Sequence, residues 1–256
     1  MKHARRLATR AFRTDRREFL AEGPQAVREA LATPGAVREV FATAAATEQH
    51  TDLVQAAART DVEWHVVTDD VVEAIADTVQ PQGVVARCGM LDRPLEALLD
   101  RSPGFVVVCA DIRDPGNAGA VIRCADAAGA DGVVLVGDSV DPYNPKSVRA
   151  TVGSIFHVPL AIERDTAAAL TALQSAGLQV LAADGGGDLG LYDADLDLSA
   201  PTAWLMGNEA WGLPDATRAL ADRVVAVPIY GRAESLNLAT AAAVCLYATA
   251  HARRAT

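Results

Sequence analysis

The sequence predicts an α/β protein in which mostly parallel strands alternate with helices. Half of the 256 residues are hydrophobic, which gives the chain enough apolar surface for a substantial core. Short β-branched runs alternate with alanine-rich helical stretches along the whole length. The strand-like runs after residue 104 are almost continuously apolar, as expected for a sheet that is covered on both faces.

The first third of the chain is predicted to form a small α/β domain. Its strands are predicted at residues 18–22, 37–41, 64–67 and 84–86, and its helices at 24–31, 47–59 and 69–76. Pro24 suits the first turn of a helix, and Asp69 suits an N-cap. Residues 90–103 contain two prolines and several charges, which is typical of a connecting helix or a linker. The predicted organisation is an N-terminal domain at 1–93, a linker at 94–103 and a second domain at 104–256.

The second domain is predicted to be a larger α/β domain with a sheet covered on both faces. Its strands are predicted at residues 105–110, 133–136, 178–182, 202–206 and 224–227. Asn117 is the predicted cap of the helix that follows the first of these strands. Ser235 is the predicted N-cap of a long apolar helix that continues to Ala250.

The charge distribution is compatible with a nucleic-acid partner, although the whole chain carries a net charge of −10. Residues 1–17 carry +6 and the remainder −16, since one acid, Asp15, stands among seven basic residues: Lys2, Arg5, Arg6, Arg10, Arg13, Arg16 and Arg17. A basic arm on an acidic body can contact phosphates locally and avoid indiscriminate binding. A solvated amphipathic helix explains the same composition.

The composition excludes several classes of protein. Apolar runs are short, as at 105–108, and fall well below the roughly 20 residues of a membrane-spanning helix. The N-terminus lacks the apolar stretch of a secretory signal. The cysteines form no CxxC pair and have no nearby histidine pairs, so neither a zinc site nor a disulfide framework is predicted; they are Cys88, Cys109, Cys124 and Cys245. We expect a cytoplasmic protein with no membrane partner and no metal.

Three polar clusters follow predicted strands, which is where ligands bind in open α/β sheets. They occupy residues 111–123, 206–214 and 227–240. Taken singly, each has an ordinary structural explanation, such as a helix cap or a tight turn. The dinucleotide fingerprint GxGxxG and the phosphate loop GxxxxGK[ST] are absent from the sequence, which counts against an unrelated α/β enzyme with a nucleotide cofactor.

Taken together, the three clusters resemble the signature motifs of the SpoU (TrmH-type) RNA 2'-O-ribose methyltransferases of the SPOUT superfamily. In chain order, the matching motifs are Asn117-x-Gly119-x-x-x-Arg123, Gly207-Asn208-Glu209-x-x-Gly212-Leu213 and Ser235-Leu236-Asn237. Residues 19–23 and 81–84 resemble landmarks of the N-terminal RNA-recognition domain common in this family, and residues 144–154 resemble its middle segment. The resemblance covers nearly the whole chain.

The resemblance implies a fold, a cofactor and an assembly. The C-terminal domain would be an α/β-knot, in which the last helix of a mostly parallel α/β domain threads through a loop to form a trefoil knot. The N-terminal domain would be a ribosomal-protein-like α/β module that binds RNA. The cofactor would be S-adenosylmethionine, and the assembly would be a homodimer with composite active sites.

The resemblance also implies which residues hold the cofactor. The positions that match the family's cofactor contacts are Gly207, Val227, Ile229, Leu236 and Leu238. Apolar walls and the backbone groups of strand ends suit an adenine ring. The sulfonium already makes the methyl group electrophilic, so the reaction needs no metal.

The catalytic residues that the resemblance implies are Asn117, Arg123, Glu209, Ser235 and Asn237. Arg123, supplied by the opposite subunit, would bind the target ribose or its adjacent phosphate. Because a guanidinium with a pKa above about 12 is a poor general base, we expect Arg123 to clamp a phosphate and stabilise a developing alkoxide while the proton passes to a phosphate or water. Asn117 and Asn237 would orient the ribose and the motif loops. Glu209 would support the second motif, with Asn117 or Ser235 as its hydrogen-bond partner.

The predicted RNA contacts are Arg5, Arg6, Arg10, Arg13 and Arg149. Ribosomal RNA is the expected substrate and transfer RNA the alternative, because a two-domain build is commoner among the ribosomal members. Housekeeping methylation and protection against a ribosome-targeting antibiotic stay open. A catalytically silent RNA-binding or assembly factor would predict eroded motifs, and the intact motifs count against it. Cys124 departs from the small hydroxyl residue that relatives often carry, and it is predicted to be a buried filler.

Overall fold

The computed structural model describes residues 2–255, which form two compact units. Within the described residues, the first unit comprises 2–91 and 141–157, and the second comprises 92–140 and 158–255. The strands are β1 (Glu18–Glu22), β2 (Val37–Thr43), β3 (Glu63–Val67), β4 (Val84–Gly89), β5 (Phe105–Ala110), β6 (Gly132–Val136), β7 (Leu160–Glu163), β8 (Gln179–Ala183), β9 (Leu189–Gly190), β10 (Thr202–Met206) and β11 (Arg223–Ala226). The helices are α1 (Lys2–Arg6), α2 (Arg10–Arg16), α3 (Pro24–Ala32), α4 (Ala44–Gln49), α5 (Thr51–Arg59), α6 (Asp69–Ile75), α7 (Leu95–Leu99), α8 (Pro115–Ala128), α9 (Pro145–Thr151), α10 (Thr166–Ser175), α11 (Asp215–Arg218) and α12 (Leu238–Ala255).

The first unit is built on a four-stranded sheet with the strand order β1-β4-β2-β3. Strand β4 pairs antiparallel with both β1 and β2, whereas β2 and β3 are parallel. Alternate side chains point to opposite faces, and one face buries apolar residues such as Phe19 and Val40 completely. On the other face, Arg87 of β4 forms ion pairs with Glu18 and Glu39 of the two neighbouring strands.

Residues 141–157 pack within the first unit, although the sequence analysis placed them in a domain at 104–256. The Tyr143 ring lies 4.8 Å from that of Phe19, and the Phe156 ring lies 5.9 Å from it. The Tyr143 hydroxyl also accepts a hydrogen bond from the Leu91 backbone N–H at 2.8 Å. Because these rings are buried against Phe19, the observed division differs from the predicted boundaries at this segment.

The second unit is built on a seven-stranded sheet with the strand order β7-β6-β5-β10-β8-β11-β9. Every neighbouring pair in this sheet is parallel. All side chains of β5, β6 and β10 are buried, so both faces of these strands are covered. This arrangement explains why their sequences are continuously apolar rather than alternating.

The segment predicted as a linker, 94–103, contains helix α7. Leu95 and Leu98 of this helix are buried in the same core cluster as Val106 of the sheet. The backbone N–H of Arg93 also donates to the carbonyl of Leu160 at 2.9 Å. The segment is therefore a packed part of the second unit.

Helix α12 packs against α8 and strand β10. The indole N–H of the fully buried Trp204 donates to the Thr249 hydroxyl of this helix at 2.8 Å, which satisfies both polar groups inside the core. Within residues 2–255, no helix combines the length and the apolar character needed to cross a bilayer.

The observed elements match the predicted ones closely at three strands and differ at several other places. The bounds of β1, β5 and β10 coincide with the predicted ones. The helix predicted at 47–59 is divided into α4 and α5 at His50, whose φ of −116° and ψ of 55° are not helical. Helix α4 begins earlier than predicted, and the Thr43 hydroxyl caps it by accepting a hydrogen bond from the Ala46 N–H. Strands β7 and β9 were not predicted; both are short, with four and two residues.

Candidate active site

A cavity of about 290 Å³ lies in the second unit, at the carboxyl ends of three adjacent strands. Ala183 ends β8, Met206 ends β10, and Val227 follows β11, and all three line the cavity. This is where an open parallel sheet places its ligands, because the loops that leave the strands diverge there. Both the second and third sequence motifs contribute residues to the lining.

The second motif forms a tight loop on one wall of the cavity. The backbone groups of Asn208 and Gly212 bond to each other in both directions, at 2.9 and 3.0 Å, which closes the loop. A Cβ added to Gly207 would lie 2.6 Å from the Gly212 carbonyl carbon and 2.8 Å from Cγ of Leu213. Only glycine fits at position 207 because the chain folds back directly over it.

The same loop is attached to the first motif by two side chains. The Asn208 amide, which is 5% exposed, donates to the Asp111 carbonyl at 2.6 Å. The Glu209 carboxylate accepts hydrogen bonds from the backbone N–H groups of Arg113 at 3.2 Å and Asp114 at 3.1 Å. One carboxylate thus fixes the turn that leads into helix α8, because it satisfies two N–H groups that precede the helix.

Asn117, Glu209 and Asn237, one residue from each motif, form a continuous hydrogen-bonded set that we call the Asn–Glu–Asn cluster. The Asn117 amide donates to Glu209 Oε1 at 3.2 Å. The Asn237 amide donates to Asn117 Oδ1 at 3.1 Å. Of the two partners predicted for Glu209, the structure therefore has Asn117, and Ser235 forms no hydrogen bond to it among the described residues. Glu209 lines the cavity, so the cluster extends from the cavity wall.

The helix caps differ from those predicted. Helix α8 begins at Pro115 and is capped by Asp114, whose carboxylate accepts from the Asn117 N–H at 2.8 Å. Helix α12 begins at Leu238 and is capped by Asn237, whose side-chain oxygen accepts from the Ala239 N–H at 2.9 Å. The predictions of Asn117 and Ser235 as caps were therefore wrong. In each helix a residue nearby makes the capping hydrogen bond, which leaves the Asn117 amide free to join the cluster.

The structure brings together most of the residues that the sequence analysis singled out in this unit. The five predicted cofactor contacts all line the cavity, and so do Glu209 and Ser235; the five are Gly207, Val227, Ile229, Leu236 and Leu238. Arg123 is exposed on α8 and is not among the lining residues. One chain therefore assembles every predicted site residue of the motifs except Arg123.

The predicted RNA contacts of the first unit fall into two groups. Arg5, Arg6 and Arg10 are exposed on α1 and α2. Arg13 is 2% exposed, and its guanidinium donates to Asp141 Oδ2 through Nε at 2.9 Å and Nη2 at 2.7 Å. Because this guanidinium is buried and paired, it is not accessible to RNA, and the prediction of Arg13 as an RNA contact was wrong. Arg149 is half-buried and pairs with Asp77 at 3.0 Å.

Three residues of the site were missed by the sequence analysis. Asp184 and Glu234 line the cavity, and Asn208 holds the second motif in place. Asp184 directly follows β8, so the rule that ligands bind beyond the carboxyl ends of parallel strands is a signal that identifies it. Asn208 belongs to the second motif and Glu234 to the third polar cluster, but neither was predicted as a site residue.

The lining of the cavity suits S-adenosylmethionine, the cofactor that the sequence predicts. Three carboxylates line it, those of Asp184, Glu209 and Glu234, and no lysine or arginine is present among its described lining residues. Such a wall favours a ligand that carries a sulfonium and an ammonium, and it opposes a nucleotide phosphate. The apolar side chains of Val227 and Leu236 provide surface for an adenine ring.

Among the described residues, neither a reactive cysteine nor a cluster of metal ligands lines the cavity. Burial raises the pKa of the Cys109 and Cys245 thiols to about 12 and raises those of Cys88 and Cys124 as well, so none is an activated nucleophile. Within residues 2–255, one group of three side chains has the spacing of metal ligands: Glu39, Glu63 and His65. It belongs to the first unit, where Glu39 is already paired with Arg87.

The chain is similar to known proteins over nearly its whole length. The profile of the SpoU rRNA Methylase family matches residues 104–247, and that of the MRM3-like substrate binding domain matches residues 1–86. The chain is 34% identical over 249 residues to the 23S rRNA (guanosine(2553)-2'-O)-methyltransferase RlmP of Bacillus subtilis (strain 168), which covers 96% of this chain and 94% of that protein. It superposes on the AdoMet-bound rRNA methyltransferase from Sinorhizobium meliloti with a TM-score of 0.84 and 34% identity, over 99% of this chain and 94% of the other. For AviRb from Streptomyces viridochromogenes in complex with AdoMet, the TM-score is 0.86 at 30% identity, over 100% and 98% of the two chains.

Proposed function

Because the chain belongs to the SpoU rRNA methylase family, and is therefore an S-adenosylmethionine-dependent RNA 2'-O-methyltransferase, we propose that it methylates a ribose 2'-hydroxyl of 23S rRNA. The observation that carries this proposal is the cavity described above, where the motifs place an acidic wall, a glycine cradle and the Asn–Glu–Asn cluster together. The names of the relatives support ribosomal RNA as the substrate. Such a substrate would place the reaction in the cytoplasm.

The residues of the cavity hold and orient the reactants. When bound, S-adenosylmethionine supplies an already electrophilic methyl group that the ribose 2'-hydroxyl attacks. Gly207 lets the chain fold close against the cofactor cavity, and Val227, Ile229, Leu236 and Leu238 provide its apolar wall. Asp184 and Glu234 contribute negative charge that favours the cationic cofactor over neutral or anionic competitors.

The Asn–Glu–Asn cluster acts by positioning. Glu209 fixes the turn before α8, and the amides of Asn117 and Asn237 then have defined directions for contacting a ribose. Ser235 lines the cavity beside this cluster and offers a hydroxyl to the same ligand groups. Accurate placement of the attacking hydroxyl is a large part of the rate enhancement that an enzyme of this type can provide.

Arg123 is proposed to clamp an RNA phosphate next to the target ribose and to stabilise the developing alkoxide. Its guanidinium stays protonated, so a phosphate or water accepts the proton. Because Arg123 is exposed and lies outside the lining of the cavity in its own chain, we propose that it serves the cavity of a second subunit. This arrangement requires a homodimer with composite active sites. Family membership also supports the trefoil knot expected for this domain.

The experiment that tests the proposal is transfer of labelled methyl groups from S-adenosylmethionine to separated, unmodified 23S rRNA and transfer RNA. Alkali-resistant positions then map the 2'-O-methyl group. A discrete site in 23S rRNA is expected. A site in transfer RNA would change the substrate, and cofactor binding with no transfer to either RNA would instead indicate a silent RNA-binding factor.

Arg123→Ala is expected to abolish methyl transfer while S-adenosylmethionine affinity, measured by calorimetry, stays nearly unchanged. Loss of cofactor affinity would contradict the clamp assignment. Heterodimers of Arg123→Ala subunits with Gly207→Val subunits are expected to recover partial activity, since one intact composite site remains. The absence of recovery in verified heterodimers would rule out an arginine that acts across subunits.

A further inference from the structure

A second cavity, of about 280 Å³, lies entirely within the first unit. Its lining comes from the end of β1, from the segment that precedes β4 and from helix α9. The residues that carry the argument are Glu22, Gly23, Thr78, Gln82 and Arg149. None of them has a role in the site described above.

Three segments that the sequence analysis identified as landmarks, but that the methyl-transfer site does not use, meet at this cavity. Glu22 and Gly23 belong to the landmark at 19–23, and Gln82 belongs to that at 81–84. Arg149 belongs to the middle segment at 144–154, which packs within the first unit. Segments that are far apart along the chain thus surround one concave surface, which is the shape that small-ligand sites have.

Gly23 and Gln82 form one side of the cavity. Gly23 has φ +88°, and a Cβ added to it would lie 2.5 Å from Gln82 Oε1. The glycine therefore lets the Gln82 amide lie directly against the turn that begins α3. Gln82 is exposed, and its amide has no hydrogen-bond partner within the described part of the chain, so both its donor and its acceptor are available to a ligand.

Arg149 also lines the cavity, and it is held by two acids. Its Nη2 donates to Asp77 at 3.0 Å, and its Nη1 lies 3.5 Å from Glu22 Oε1. Nη1 is buried and makes no hydrogen bond to any residue from 2 to 255. The Glu22 carboxylate is instead occupied by the Asp77 backbone N–H at 2.9 Å and the Thr78 hydroxyl at 3.3 Å. Arg149 is therefore held in place by its two acids, and its side chain forms part of the cavity wall.

We propose that this cavity binds an unpaired nucleobase of the substrate RNA, at a nucleotide separate from the one that is methylated. The inference rests on the proposed function, because it takes RNA as the substrate. A base edge offers a donor–acceptor pair to the exposed Gln82 amide, and Arg149, which also lines the cavity, provides a planar guanidinium of the kind on which bases stack. Proteins that recognise RNA by sequence bind splayed-out bases of single-stranded loops in this way.

The charges around the cavity favour a base over a backbone phosphate. Arg149 is flanked by the carboxylates of Glu22 and Asp77, so the local formal charge is negative. A phosphate would be repelled by Glu22, whereas a neutral base edge would not. The exposed arginines Arg5, Arg6 and Arg10 of the same unit have no such carboxylate pair among the described residues and suit the phosphate backbone better.

The test compares Gln82→Ala with Gln55→Ala in the full-length protein. Gln55 is an exposed glutamine of α5 that does not line the cavity, so it is the matched control. Affinity for an unmodified 23S rRNA transcript is measured by filter binding between about 50 and 200 mM salt. Gln82→Ala is expected to weaken binding about tenfold, with the slope of log affinity against log salt unchanged, since a base contact releases no counterions. Gln55→Ala is expected to bind as the wild type does.

Two further readouts separate this proposal from the proposed function. Gln82→Ala is expected to raise KM for the RNA about tenfold and to leave kcat, cofactor affinity and thermal stability unchanged. Chemical probing of base edges is expected to show one unpaired base that the wild type protects and Gln82→Ala does not. Wild-type affinity of Gln82→Ala, or a salt slope that falls by about 0.9, would overturn the base pocket. A wild type that transfers no methyl group to 23S rRNA would overturn the proposed function instead.

Discussion

The first and second units each contain a polar cluster that joins distant parts of the chain, and the two clusters differ in burial. In the first unit, Arg13 and Asp141 are 2% and 8% exposed. In the second unit, Glu209 and Asn237 of the Asn–Glu–Asn cluster are exposed, and Asn117 is half-buried. The two clusters involve similar numbers of hydrogen bonds, but they have different solvent environments.

The hydrogen bonds of the buried pair are complete within the protein. Arg13 Nη1 donates to the carbonyls of Leu7 and Ala8, and Asp141 Oδ1 accepts from the Tyr143 N–H at 2.9 Å. In the other cluster Glu209 and Asn237 are exposed, and Glu209 lines the cavity, where a ligand can reach it. A polar residue therefore stabilises the fold when burial and internal partners complete its hydrogen bonds, and it is available for binding when they do not.

The largest effect is expected from Arg13→Ala. The change leaves the Asp141 carboxylate buried without its counter-charge, so the free energy of unfolding should fall by about 3–5 kcal/mol. Urea denaturation followed by circular dichroism measures this loss. Methyl transfer per folded molecule is expected to be nearly unchanged, because the pair belongs to the first unit's interior.

Arg16→Ala is the matched control for this prediction, since Arg16 is exposed on the same helix and its change should alter stability by less than about 0.5 kcal/mol. Replacement of Arg13 and Asp141 together by Met and Leu is expected to recover most of the stability, because no buried charge then remains. Unchanged stability of Arg13→Ala together with weaker RNA binding would show that the pair has been misinterpreted and that Arg13 is an RNA contact.

An intermediate effect is expected from Glu209→Gln. A glutamine has one acceptor oxygen, so at least one of the N–H groups that Glu209 now accepts from would face another donor. The first motif would then shift, and kcat should fall about 100-fold. The free energy of unfolding should change by less than about 1 kcal/mol, because the cluster is exposed.

Glu96→Gln provides the control for this change, as an exposed glutamate of α7 in the same unit. Single-turnover methylation separates the chemical step from RNA binding in both variants. A large loss of stability with normal kcat would assign Glu209 to the fold and would remove the distinction between the two clusters.

The smallest effect is expected at Glu18, on the half-buried charged face of the first unit's sheet. Burial raises the pKa of this carboxyl, but hydrogen bonds from His3 and Arg87 outweigh burial, so the pKa lies below its ordinary value of 4.5. Its stabilising contribution is therefore complete above about pH 4.5 and is lost as the pH falls through the lowered pKa. Denaturation curves below pH 5 should show a shallower fall in stability for Glu18→Gln than for the wild type. Glu48→Gln, at an exposed position of α4, should retain the wild-type pH dependence.

The local sequence predicted some features well because they depend on neighbouring residues. The bounds of β5 and β10 follow from apolar runs that a doubly covered sheet requires. Helix starts were predicted less well at three places. Asp69, predicted as an N-cap, is the first residue of α6, and the N-cap residue is Thr68. Ser235 and Asn117 both have side chains that suit an N-cap, but Asn237 and Asp114 make the capping hydrogen bonds. Several neighbouring side chains can bond to the same first N–H groups of a helix, so the local sequence does not decide among them.

By itself, the sequence determined the α/β class, the family through its three motifs, and seven of the residues that line the cavity of the second unit. Such features follow from residue type and from spacing along the chain, and neither depends on how the rest of the chain folds. Tertiary structure alone decided that residues 141–157 pack in the first unit, that Arg13 is buried while Arg10 is exposed, and that Asn117, Glu209 and Asn237 touch. Arg10 and Arg13 have the same chemistry in the same helix, and only the position of Asp141, 128 residues further along the chain than Arg13, separates their roles. Burial and partners come from residues distant in sequence, so a pattern read along the chain does not contain them.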